Sequence, residues 1–129
     1  MHIGILLSLT APRPGTGVAV GTPANTATPV ISGGPSVGAT LTATAGTWTG
    51  DPTPTVSRQW RRNGADIPGA TGSTLSTAGY ADGDVITLIE TATNVVGTAS
   101  AGSNAIGLTA AASTAGEPVG LLLILTKAA

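Results

Sequence analysis

The sequence predicts an all-β protein: an antiparallel β-sandwich with apolar, β-forming extensions at both termini. Three observations carry this. Segments such as SVGATLTATAG (36–46) and VSRQWRRNG (56–64) alternate with period two. Turn signals rich in Gly, Pro, Asn and Asp recur between the segments every eight to twelve residues or so. No stretch combines a cap with 3.6-residue periodicity, so little or no helix is expected.

In chain order, IGILLSLT (3–10) is a first apolar run. Residues 11–28, APRPGTGVAVGTPANTAT, read as an extended linker, because Pro12 and Pro14 favour polyproline-type backbone and Gly15 and Gly17 break helices. The sandwich is expected over 29–109. Its first strand puts Val37, Ala39, Leu41 and Ala43 on one face and Thr40, Thr42 and Thr44 on the other. GTWTGDPTPT (46–55) reads as a turn region stiffened by Pro52 and Pro54.

Val56, Arg58, Trp60 and Arg62 share a face of the next strand, and Asn63-Gly64 is a hairpin signal because both residues tolerate positive φ. ADIPGATGSTL (65–75) reads as short edge strands with turns at Pro68-Gly69 and Thr71-Gly72. DGDVITLIETATNVVGTASAGS (82–103) holds two more strands joined by a hairpin at Asn94 to Gly97. Ile86, Leu88, Glu90 and Ala92 share one face, so Glu90 is expected either buried and paired, with Arg58, Arg61 or Arg62, or displaced by a bulge. Leu41, Trp60, Ile86 and Leu88 are the expected core. A second small-residue linker, AAASTAGEP (110–118), leads into VGLLLILT (119–126).

Composition narrows the function. The 129 residues carry 9% charged side chains, against about 25% in typical domains, and a net charge of −1. Arg58, Arg61 and Arg62 form too small a basic cluster for a nucleic-acid footprint. No Cys is present, so disulfides and thiolate metal sites are excluded. The single histidine, His2, lies in the terminal run, which rules out a Ser-His-Asp site within the sandwich.

Asp82 and Asp84 offer oxygens but too few ligands for Ca²⁺, and no acidic pair is spaced across a cleft as glycosidases require. The Gly-rich stretches precede no helix, so phosphate cradling fails. No cofactor is expected, and the chain reads as a non-enzyme. Both apolar runs are too short to span a bilayer as helices, which needs about 20 residues. Met1 to Ala11 has no Lys or Arg ahead of its apolar stretch, which argues against a signal peptide.

PVISGGPSVGATLTATAGTWTG, QWRRNGADIPGATGSTL and DGDVITLIETATNVVGTASAGS, in that order, resemble the immunoglobulin-like repeat of bacteriophage virion proteins and bacterial surface proteins. Gly46-Thr47-Trp48, Gln59-Trp60, Asn63-Gly64, Asp82-Gly83 and Thr91-Ala92-Thr93-Asn94 carry the resemblance. It implies an immunoglobulin-like sandwich with Trp60 between the sheets, and Leu88 standing where disulfide-bonded relatives carry a Cys. It also implies a virion structural protein at the particle surface, a head decoration or fibre-like element whose partners are other virion subunits and further copies of itself.

In this reading the terminal runs are assembly anchors. Ile3, Ile5, Leu6, Leu7 and Leu9 and Val119, Leu121, Leu122, Leu123, Ile124 and Leu125 are the expected interface, since consecutive apolar residues suit strands buried on both faces. They could pair with each other or add to neighbouring subunits. Trp48, Arg58 and Arg62 are the candidate surface contacts, with a weak host-surface glycan as ligand. That alternative makes the chain a tail-associated or bacterial-surface carbohydrate-binding adhesin.

Overall fold

The structure, a computed structural model, describes residues 20–111 of the chain. Among the described residues ten strands form: β1 Gly21–Ala27, β2 Val30–Ser32, β3 Thr40–Thr44, β4 Thr47–Asp51, β5 Thr55–Arg62, β6 Ala65–Asp66, β7 Thr74–Ser76, β8 Val85–Thr93, β9 Thr98–Gly102 and β10 Ile106–Gly107. Among the described residues there is no helix, and hence none long and apolar enough to cross a membrane.

The paired strands run antiparallel in three sheets. One has the order β2-β3-β7. A larger one has the order β10-β8-β5-β6, with β9 also paired to β8. The third is the pair β1-β4. The first two enclose the core. Ile31, Leu41, Ala43 and Leu75 come from one sheet and Trp60, Ile86 and Leu88 from the other, with Leu108 closing the cluster.

Leu41, Trp60, Ile86 and Leu88 have no solvent exposure. A chain without Phe concentrates its aromatic burial in Trp60. Removing a tryptophan's roughly 200 Å² from water contributes at most about 5 kcal/mol. Its indole N–H is not wasted, since Nε1 donates to the Gly72 carbonyl at 2.9 Å. Period-two alternation is realised along β8, where Ile86, Leu88, Glu90 and Ala92 are all buried.

Polar side chains tie neighbouring segments together. Asn104 pairs with both backbone groups of Ile31: its Oδ1 accepts from Ile31 N at 2.7 Å and its Nδ2 donates to Ile31 O at 3.0 Å. This ties the chain between β9 and β10 to β2 of the opposite sheet. Buried Thr77 accepts from Gly38 N at 2.9 Å and donates to Ala39 O at 2.9 Å.

Two segments depart from the sequence reading. Residues 21–27, expected as linker, form β1, and 47–51, expected as turn, form its partner β4. Pro and Gly cost a strand its ladder bonds and side-chain packing, which is why the composition reads as linker. Here the register slips between Gly21 and Ala24 and again between Asn25 and Ala27, and Pro23 sits within the first slip. Side chains add support: Asn25 Nδ2 and Thr26 Oγ1 both donate to Thr47 O, at 3.1 and 3.2 Å.

The chain enters and leaves at opposite ends of the sandwich. Gly21 lies beside Asn94, just past the end of β8, whose Nδ2 donates to Gly21 O at 2.8 Å. Ala110 lies beside Asp82, just before β8 begins, and donates its N–H to Asp82 Oδ1 at 2.9 Å. The nine-residue strand between them is roughly 27 Å long.

Candidate functional site

Two ionic clusters and one pocket contain the chemistry among the described residues. The first cluster surrounds Glu90. Alternation along β8 turns this side chain inward, and an unbroken register from Thr55↔Thr93 to Arg62↔Ile86 rules out a bulge. Arg58 is its direct cross-strand partner on β5. Arg58 Nη2 donates to Glu90 Oε1 at 3.2 Å, while Gly46 N and Trp48 Nε1 donate to Oε2 at 2.9 and 3.1 Å.

Glu90 has no exposure, and Arg58 is 22% exposed. A carboxylate so placed meets no substrate. Its work is to hold β4 and the turn before it against the β5-β8 pair. Of the expected surface contacts, Trp48 and Arg58 are thus brought together, but on Glu90. Trp48 is half-buried with its one polar atom committed.

The third, Arg62, belongs to the second cluster. Here Asp84 Oδ2 accepts from Ala81 N at 2.8 Å and lies 3.0 Å from Arg62 Nε, and Asp84 Oδ1 accepts from Asn63 Nδ2 at 2.7 Å. The Ala81 backbone N–H, then the Asn63 amide, and then the Arg62 charge hold the Asp84 carboxyl below its ordinary value, against the opposing pull of burial. Asn63 also accepts from Val85 N at 2.8 Å, so the hairpin turn and the start of β8 are cross-linked. Asp82 and Asp84 are therefore occupied by the fold itself. Among the described residues no three His, Cys, Asp or Glu side chains are gathered in metal-binding proximity.

Beside this cluster is an open pocket of about 280 Å³ lined by Arg62, Ala65, Asp66, Ile67, Pro68 and Tyr80. The Arg62 guanidinium lies 4.8 Å from the centre of the Tyr80 ring. Arg61 Nε pairs with Asp66 Oδ1 at 2.8 Å. Only Arg62 of these residues was singled out as a contact by sequence. The missed signal is tertiary: Asn63-Gly64 folds 65–68 back on β5, and the turn before β8 brings Tyr80 to the same place.

The expected interface residues Ile3, Ile5, Leu6, Leu7, Leu9, Val119, Leu121, Leu122, Leu123, Ile124 and Leu125 lie outside the described residues. In comparisons with known proteins, the chain matches no protein-family model and no curated protein.

Proposed function

We propose that this chain is a non-enzymatic structural protein of a phage or phage-like particle. It displays an immunoglobulin-like sandwich at the particle surface, as a head decoration or fibre-like element, anchored through its apolar terminal runs. The observation that carries this reading is where the motif residues fall. Gly46 and Trp48 grip Glu90, Trp60 fills the core, Asn63 braces the start of β8, and Asn94 ties β1 to β8. That these residues hold the fold together supports a framework role for them over a reactive one.

Two further features support it. The chain's entry and exit lie at opposite ends of β8, which suits a domain linked to something on either side. The low charge leaves little repulsion between closely spaced copies. Multicopy display would convert weak surface contacts into avidity.

The test is the molar mass of the full chain in solution by light scattering, beside a full-length variant with Leu6, Leu7, Leu122 and Leu123 changed to Ser. The expected result is assembly of the natural chain and a folded monomer for the variant. A natural chain that is itself a well-behaved monomer refutes anchoring through the ends.

A further inference from the structure

We infer that the pocket at Arg62, Asp66 and Tyr80 is a binding site for a single neutral pyranose ring. Arg62 is balanced by Asp84 and Asp66 by Arg61, so the pocket holds charged atoms but no uncompensated charge. A strongly ionic ligand gains little there, because either sign meets a group already paired.

Hydrogen-bonding capacity nevertheless remains. Arg62 spends Nε on Asp84, and its two Nη groups have no protein acceptor among the described residues. Asp66 spends Oδ1 on Arg61, its Oδ2 has no protein donor among the described residues, and its side chain is 64% exposed. The Tyr80 hydroxyl has no protein partner among the described residues either. Donors and acceptors of both kinds thus border the same small space.

The remaining lining is apolar: Ile67, Pro68, Ala65 and the Tyr80 ring. Small-ligand sites combine such a surface with a few convergent polar groups. A pyranose matches both halves, offering C–H groups to Ala65, Ile67 and Pro68, beside the Tyr80 ring over which Arg62 already lies at 4.8 Å, and hydroxyls to the guanidinium and carboxylate. A volume of about 280 Å³ suits one ring. Because the pocket is open and its charged side chains are partly exposed, weak binding is expected.

Ile67 and Tyr80 also pack against the core, so the site stands on the sandwich and not on a free loop. This assignment goes beyond the display reading and does not depend on it, since a monomer would carry the same pocket.

The experiment is saturation-transfer NMR on the full chain with methyl glucoside, methyl mannoside, methyl galactoside and methyl N-acetylglucosaminide, and with methyl glucuronide as the anionic comparison. Transfer to the ring protons of at least one neutral sugar is expected. It should persist in Val95→Ser, at the far end of the sandwich, and vanish in Ala65→Trp, which fills the pocket from an exposed edge position. Tyr80→Leu, which keeps apolar bulk against the core, should weaken binding about tenfold. If Ala65→Trp does not fold, the Tyr80→Leu titration decides. No transfer from the folded natural chain overturns the assignment, and so does transfer that the pocket variants leave unchanged. A preference for the glucuronide overturns the neutral-ligand argument.

Discussion

The Trp48 indole nitrogen lies 3.1 Å from Oε2 of Glu90, a carboxylate with no exposure at all. That bond, with those from Gly46 and Arg58, makes Glu90 the point where β4, β5 and β8 meet. Glu90→Leu is expected to lower unfolding stability by about 3 kcal/mol, because it strands the Arg58 charge and two further donors. Glu90→Gln, which keeps an acceptor, should cost about half as much. Urea unfolding with an unchanged m-value reads both. A loss in Glu90→Leu no larger than that of an exposed substitution would show the cluster to be energetically idle.

Asn63 has φ 52° and Gly64 φ 86°, the left-handed pair that a two-residue hairpin turn demands. Asn63 adds two side-chain bonds, to Asp84 and from Val85. Asn63→Ala should therefore cost about 2 kcal/mol. Asn63→Gly should cost less than that, since it loses the bonds but relieves the backbone. Thermal or urea midpoints that fail to rank the two variants in this order contradict the assignment.

What was legible in the sequence is what periodicity encodes. Alternation places Leu41, Trp60, Ile86 and Leu88 inside, and it places Glu90 beside them, where the choice between pairing and a bulge stays open. Register settles that choice by setting Arg58 opposite. β1 was illegible because its strand is held by backbone pairing and small polar side chains, with Pro23 its only buried residue. The pocket was illegible for a different reason: Arg62 and Tyr80 meet through tertiary packing across 18 positions, and no local pattern records it.

Gly46 is required by close approach, not by φ. A Cβ there would stand 2.6 Å from the Ala27 carbonyl oxygen and 3.0 Å from Pro29, both parts of the backbone path leading from β1 into β2. Gly46→Ala must displace that path or shift the N–H that Glu90 accepts, and a loss of about 2 kcal/mol is expected. Gly107→Ala is the comparison, since nothing lies within 4 Å of its Cβ position, and it should change stability by less than about 0.5 kcal/mol. Equal effects in chemical denaturation would mean that the turn before β4 yields freely.

Asp84 gives the sandwich a defined acid response. Its folded-state carboxyl is held below the ordinary value of 3.8 by the Ala81 N–H, the Asn63 amide and the Arg62 charge. A depressed folded-state value means that the unfolded chain takes up the proton first as pH falls. The associated stability is present above about pH 4 and is lost as pH drops through the lower folded-state value. Asp84→Asn abolishes this titration while leaving the other acidic groups in place. The stability difference between the natural chain and Asp84→Asn should therefore be constant from about pH 7 to pH 5 and shrink steadily toward about pH 2. Urea midpoints across that range measure it. A difference that grows on acidification would require a raised carboxyl, contrary to the three groups that hold the ionised form in place.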